Sequence, residues 1–246
     1  MRYPNITKAS FVSRQNRFVA TVILNGEEIQ VHVKNTGRCR ELLTPGATVY
    51  LVDSQNEKRK YRYDLVAVEK GALLVNMDSQ APNQVFSDFL RSGGFLEGVT
   101  LVKPEYRYGT SRMDFYFERG EERHLAEIKG VTLEENGICR FPDAPTERGA
   151  RHLEELARAV REGFHAWACF VVQMDGMRWL EPNERTDPAF AGAMRTAAAA
   201  GVKCGPFAAR FIQTVWRLYR SCQYTYVCRN IRCKLHKYFP PLELIS

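Results

Sequence analysis

Asp114, Glu127 and Lys129 are the residues whose types and spacing could do chemistry. They lie in the stretch Tyr106 to Thr132, YRYGTSRMDFYFERGEERHLAEIKGVT. Two runs of alternating character, Arg112 to Glu118 and Arg123 to Val131, flank the polar patch Arg119-Gly120-Glu121-Glu122, which predicts a β-hairpin. A loop of two residues (Gly120-Glu121) or of four (Arg119 to Glu122) has the same midpoint, and either places Asp114 opposite Glu127. Residues opposed in this way have Cβ atoms about 4.5–5.5 Å apart, and like charges there repel. Lys129, two residues past Glu127, projects from the same face of the strand. Two carboxylates and an ammonium then converge, and a divalent cation is the obvious partner. The other reading is a solvated sheet face on which Lys129 neutralises two acids, and the hairpin alone does not separate the two.

Two polar stretches nearer the N-terminus have residue types suited to a polyanion. KNTGRCR (Lys34 to Arg40) is a loop with a turn glycine and three cations, Arg38 among them. NEKRKYRY (Asn56 to Tyr63) interleaves Lys58, Arg59 and Lys60 with tyrosines. Cations beside aromatic rings suit a nucleic-acid strand, through phosphate pairing and base stacking. The plainer alternative is an exposed hairpin tip kept soluble by its lysines. Further on, Arg148 and His152 are four apart on a predicted helix, on one face and off its buried stripe. With the helix start aimed at the hairpin they would reach a phosphate there; otherwise they belong to a solvated face.

Charge is unevenly shared. Residues 1–70 carry 12 Lys/Arg against 7 Asp/Glu, residues 71–203 carry 16 against 20, and residues 204–246 carry 7 against 1. A basic first segment and a basic tail thus flank an acidic middle. Basic surface beside an acidic pocket is what a metal-dependent enzyme acting on a polyanion needs. The chain's 246 residues fit one large domain or two small ones. MRYPNITKASF lacks the apolar core of a secretory signal, and the best apolar run, Ala166 to Val172, is far short of the ~18–20 residues of a membrane span. A cytoplasmic protein is expected. Seven scattered cysteines include no CxxC pair, which argues for reduced thiols rather than a disulfide framework or a zinc ribbon.

The elements that must position these residues follow from turn signals and periodicity. RFVATVIL, EEIQVHV, ATVYLVD, KYRYDLVAVE and ALLVN are short strand-like runs, with Asn25-Gly26 a tight-hairpin signal and Pro45-Gly46 a second turn. Five such runs suggest a small closed barrel, with an OB-type barrel the natural candidate. APNQVFSDFLRSGGF then predicts an amphipathic helix stopped by Gly93-Gly94. After the hairpin, ICRF suits a short strand, Thr146 a helix N-cap, and Gly163 the end of that helix. HAWACFVVQM is a doubly buried strand and DPAFAGAMRTAAAAG a helix, giving a mixed α/β sheet with helices packed on it.

Asp114 followed by Glu127-Ile128-Lys129 after a twelve-residue gap resembles the PD-(D/E)xK nuclease superfamily. The longer strings NTGR (35–38), KRKY (58–61), SRMDF (111–115), EIKGVTL (127–133) and FPDAPTERGARHLEEL (141–156) resemble the sugar fermentation stimulation protein A family, SfsA, over residues 3 to 203. The resemblance implies an OB-like β-barrel domain (1–78), a PD-(D/E)xK nuclease-like domain with a mixed sheet flanked by helices (79–205), and an atypical tail (206–246). It implies a DNA-binding protein without sequence specificity and a Mg²⁺- or Mn²⁺-dependent nuclease for DNA or RNA. The rival it carries is a non-catalytic DNA-binding regulator of sugar metabolism on a nuclease fold; a metal-dependent phosphoesterase for small molecules is a third. By position, Asp114 and Glu127 would be metal ligands, and Lys129 would activate water or steady the transition state. Arg38, Lys58, Arg59, Lys60, Arg148 and His152 would hold nucleic acid. Mg²⁺ suits the set, since it takes one or two carboxylates and keeps several waters.

The chain departs from that pattern twice. Family members tend to carry glutamates beside the Pro-Asn pair of the first helix, where this chain has Ser87 and Asp88. From about Cys204 the family pattern, which would supply another core strand and a short helix, is not recognisable. The tail instead has four of the seven cysteines and the look of a shifted reading frame. Cys222, Cys228, Cys233 and His236 have no spacing of a closed zinc site.

Overall fold

The first strand of the barrel is one that periodicity does not announce. In Ile6–Arg14 (β1) threonine, lysine and serines interrupt the apolar residues, and only Ala9 and Phe11 are buried. Yet β1 pairs antiparallel with both Val19–Leu24 (β2) and Thr48–Asp53 (β4). The structure is a computed structural model; it describes residues 1–35, 37–212, 215–219 and 233–234, with side chains through Phe207. Asn25 and Gly26, at φ of 53° and 87°, turn β2 into Glu27–Val33 (β3), as an Asn-Gly hairpin requires. Tyr63–Lys70 (β5) lies against β4 and closes the ring by pairing parallel with β3, His32 on Asp64 and Val33 on Leu65.

The result is a closed five-stranded OB barrel, filled by Val22, Val31, Val49, Leu51 and Leu65. Its five strands are β1 to β5. The fifth of the expected runs, Leu73–Asn76 (β6), is instead an extension paired to the outside of β5.

Asp78 and Gln80 lead from β6 into Ala81–Arg91 (α1), with Pro82 in its first turn. Then come Leu101–Tyr108 (β7), Ser111–Arg119 (β8) and Glu122–Val131 (β9), three antiparallel strands in sequence. Leu133–Glu135 (β10) and Ile138–Phe141 (β11) form a small hairpin about Asn136-Gly137. Glu147–Arg161 (α2) follows, capped by the Thr146 hydroxyl, which accepts from Gly149 N–H at 3.0 Å. His165–Val172 (β12), buried from Ala166 onward, runs parallel to β9. Trp179–Pro182 (β13) joins β11, and Pro188–Ala199 (α3) begins at Asp187. That aspartate accepts from Phe190 N–H and from Thr146 N–H, so one carboxylate fixes the starts of both helices.

Lys203–Ile212 (β14) is a core strand that the sequence reading denied. It lies parallel to β12 from Trp167 on Lys203 to Val172 on Ala208, with Cys204 and Phe207 buried. Gly205 and Pro206 disguise it, because both weaken a strand. Val215–Tyr219 (β15) adds the last edge of the sheet β15-β14-β12-β9-β8-β7. Cys233–Lys234 (β16) pairs with β13; the rest of the tail, Cys222, Cys228 and His236 included, lies outside the described residues.

One face of the large sheet packs Phe115, Phe117 and Ile128 against α1 through Val85, Phe86 and Leu90. The other packs Leu125 and Phe170 against Leu153 and Leu156 of α2 and Phe190 of α3. Helices therefore press the hairpin from both sides. Among the described residues no helix is long and apolar enough to cross a membrane.

Candidate active site on the β8–β9 hairpin

The hairpin turns through Gly120 and Glu121, with Arg119 paired to Glu122 and Phe115 to Ala126. Phe115 and Ala126 are the last paired residues, one step short of Asp114 and Glu127. At that step the Asp114 side chain joins the ladder: its Oδ2 accepts from Ile128 N–H at 2.7 Å. Its Oδ1 accepts from the Asn83 amide of α1 at 2.9 Å. A main-chain donor and a helix amide together fix the carboxylate's orientation.

Glu127 is held from the other side. It is 4 % exposed, and its Oε1 accepts from Lys129 Nζ at 2.6 Å and meets Nδ1 of His152 on α2. His152 is 2 % exposed; its Nε2 accepts from Arg148 Nε at 3.3 Å, which leaves Nδ1–H to donate to Glu127. His152 therefore does not stand on a solvated face of α2. It is turned into the sheet and bonds the carboxylate itself, while Arg148 stays exposed at the rim.

The two carboxylates differ in how they carry charge. Burial and the neighbouring Glu127 charge push the Asp114 pKa up to about 6, against the bonds from Ile128 N–H and Asn83. Burial also acts to raise Glu127, but the His152 hydrogen bond and the Lys129 charge outweigh it and hold Glu127 below its ordinary value. Glu127 Oε2 is buried with no hydrogen-bond partner. An orphaned carboxylate oxygen is costly in a dry site, and it is an open ligand position.

A divalent cation fits this donor set. Among the described residues no three His, Cys, Asp or Glu side chains form a ready-made metal cage. Mg²⁺ needs no cage: one or two carboxylates and water suffice. Asp114 and Glu127 would hold it, and its charge would relieve their repulsion.

Next to Lys129, Gly130 has no room for a side chain. A Cβ there would lie 2.3 Å from Gln173 Oε1 and 2.9 Å from Pro82 Cγ. Asp114 lines a cleft of about 340 Å³ whose walls include Lys34 and Asp78 of the barrel side and Asn83 and Gln84 of α1. Glu127 is not among those walls. Asn83 was not singled out from sequence; its signal was the Pro82-Asn83 pair opening the helix.

The other expected nucleic-acid contacts are on the barrel. Arg38, Lys58 and Lys60 are exposed, and none is among the contacts of Asp114 or Glu127. Arg59 is committed elsewhere, donating to both oxygens of Asp64 at 2.9 and 2.7 Å. Lys60 stands 5.2 Å from the centroid of the Tyr61 ring.

The SfsA N-terminal OB domain matches residues 12–77, and the sugar fermentation stimulation protein RE domain matches residues 80–214, so the family pattern runs past the Cys204 limit through β14. A sugar fermentation stimulation protein homolog of Desulfitobacterium hafniense strain Y51 is 50% identical over 203 residues, 82% of this chain and 89% of that protein. One of Ruminiclostridium cellulolyticum is 48% identical over 202 residues, with the same coverage. A solved structure described as Pyrococcus furiosus SfsA in complex with Ca²⁺ superposes with a TM-score of 0.81 at 27% identity, over 89% of this chain and 96% of that one. With both domains found in order and half the residues shared with a relative over four-fifths of its length, the chain belongs to the sugar fermentation stimulation protein (SfsA) family.

Proposed function

We propose that this protein is a divalent-metal-dependent nuclease with a PD-(D/E)xK site, acting on DNA or RNA without sequence specificity. The observation that carries the reading is the pairing of half-buried Asp114 with buried Glu127, whose Oε2 is unsatisfied while its Oε1 takes the Lys129 ammonium. The Ca²⁺ named with the Pyrococcus furiosus relative supports a hard divalent cation at such a site. Mg²⁺ or Mn²⁺ would be the working ion.

The cation, when bound, supplies a Lewis acid for a phosphodiester oxygen. The chain's own groups do the rest. Asn83 and Ile128 N–H orient Asp114, and His152 orients Glu127. Lys129, placed on Glu127 and partly open to solvent, offsets charge that builds on the reacting phosphate and can orient a water for attack. Arg148 at the rim suits a flanking phosphate. Cys39, Cys139 and Cys169 are buried free thiols, in keeping with a cytoplasmic protein.

The test is incubation with single- and double-stranded DNA and RNA in Mg²⁺, Mn²⁺ or EDTA, with Lys129→Ala alongside. Cleavage that needs the metal and disappears in the variant supports the nuclease. Binding without cleavage in the wild type returns the non-catalytic DNA-binding regulator.

A further inference from the structure

At one end of the barrel four arginines gather with no acid among them. Arg14, Arg17, Arg38 and Arg40, with Asn16 and Gly37, line an open pocket of about 310 Å³. Arg14 is the framework of this pocket. It donates to the carbonyls of Asn16 (3.2 Å), Gly37 (2.7 Å), Arg38 (2.7 Å), Arg17 (2.7 Å) and Asn35 (2.6 Å). One guanidinium therefore ties residues 15–17 to Asn35, Gly37 and Arg38 through carbonyl dipoles, with the Cys39 thiol as a further neighbour. Arg17, Arg38 and Arg40 are exposed, and among the described residues none of them makes an ion pair. The acids close by are Glu41 and Asp143, which together with burial push the Cys39 thiol up to about 12.

Beside Arg17, Phe18 is 52 % exposed, one of only two large apolar side chains so exposed among the described residues. Phe18 follows Arg17 in the chain without lining the pocket itself, and cations outside any ion pair with an exposed aromatic residue nearby are the residue types that grip single-stranded nucleic acid, by phosphate pairing and base stacking. The loop that carries Arg38 and Arg40 begins at Lys34, which lines the cleft at Asp114. Six residues span at most about 20 Å of extended chain, which bounds the separation of Arg40 in the pocket from Lys34 at the cleft. Gly37 also abuts Asp143, in the segment that leads into α2 and Arg148.

We propose that this pocket holds backbone phosphates of a single-stranded nucleic acid, with a base against Phe18, and that the strand runs on from Arg38 past Lys34 to the hairpin site. The inference rests on the nucleic-acid reading above. It narrows that reading to single strands and to this rim of the barrel.

The test measures binding of a fluorescein-labelled oligodeoxynucleotide, single-stranded and as duplex, in EDTA so that no cleavage occurs, across about 50–200 mM salt. Arg38→Ala/Arg40→Ala is expected to weaken single-strand binding about tenfold and to flatten the salt slope by about 1.4, at about 0.7 per phosphate. Phe18→Ala is expected to weaken single-strand binding about fivefold or more, and duplex binding less. Arg38→Lys/Arg40→Lys should keep the wild-type slope, and circular dichroism of each variant should match the wild type. A wild-type slope in the double alanine variant would overturn the pocket, as would equal loss on both polymers in Phe18→Ala. A gain confined to 5′-phosphorylated strands would overturn the backbone assignment in favour of an end-binding site. Wild type that binds neither polymer sinks this inference and the nuclease together. Wild type that binds but never cleaves sinks the nuclease alone, and the slopes still decide the pocket.

Discussion

Asp78 and Glu127 are both deeply buried carboxylates, and the molecule treats them in opposite ways. Asp78 is 0 % exposed and fully answered: Lys34 Nζ at 2.7 Å, Tyr3 hydroxyl at 3.1 Å and Gln80 N–H at 3.0 Å all donate to it. Around it, Asn76 donates to the Tyr3 hydroxyl, and Gln173 donates to the Asn76 and Asp78 carbonyls. This knot joins barrel to sheet with nothing left over. Glu127 has two donors on one oxygen, none on the other, and a second carboxylate whose charge it repels. Burial alone is thus no mark of function in an acid. A bare oxygen alone is no mark either, since Glu155 Oε2 is buried and unpaired too; what sets Glu127 apart is a bare oxygen together with the charge of a second carboxylate.

Substitutions can break that contrast. The largest effect is expected at the hairpin: Lys129→Ala or Glu127→Gln should lower the cleavage rate about 10²–10³-fold, as losing one charge-stabilising group commonly does. Asp114→Asn should abolish cleavage yet leave the thermal midpoint unchanged or higher, because it removes one of two repelling charges. A clear loss of stability in Asp114→Asn would make the pair a structural one after all. Next, Ca²⁺ at about a hundred times its Kd should stabilise the wild type by about 2.7 kcal/mol, measured by thermal unfolding. Glu127→Gln should lose that gain, and Asp78→Asn should keep it.

Asp78→Asn should itself destabilise the fold by about 2 kcal/mol, since it strips the charge from a buried acceptor of Lys34; unaltered denaturant unfolding would count against the knot. The smallest effect sharpens the contrast with a third solution, a buried group kept neutral. His124, 2 % exposed, accepts from Trp167 Nε1 and stacks on Phe117 and His165. Burial and the His165 charge lower its pKa from 6.5 to about 4. Between those values the unfolded chain holds more protons than the folded one, so stability falls as pH drops from 6.5 towards 4. About 1–2 kcal/mol should go, discounting for the screening of exposed His165. His124→Phe should remove that part of the acid sensitivity, read by unfolding at each pH.

The legible parts of the sequence were those where turn chemistry and periodicity agree. Gly120 and the alternating arms gave the hairpin and its register down to Phe115 on Ala126. Asn25-Gly26 and Thr146 fixed a hairpin and a helix start through local bonding alone. Strands β1 and β14 escaped because their cues conflict with their place: polar residues interrupt β1, and Gly205-Pro206 interrupts β14. Spacing put Arg148 and His152 on one helix face, but which way that face turns depends on how α2 docks on the sheet, a long-range matter. The Arg14 pocket is hidden for the same reason: Arg38 and Arg40 stand out in the Lys34 to Arg40 stretch, but only the folded barrel brings Arg14 and Arg17 to them.

Gly130 couples these regions. The atoms that fill the space of its absent side chain are a glutamine amide locked into the barrel knot and a proline in the first turn of α1. A methyl group there would act as a wedge between them. Gln173 is tethered, so the helix would yield, and Asn83 would be carried off the Asp114 carboxylate that it steers. The bare backbone at position 130 thereby keeps the gap between the two halves of the molecule and the aim of the acid as a single mechanical setting.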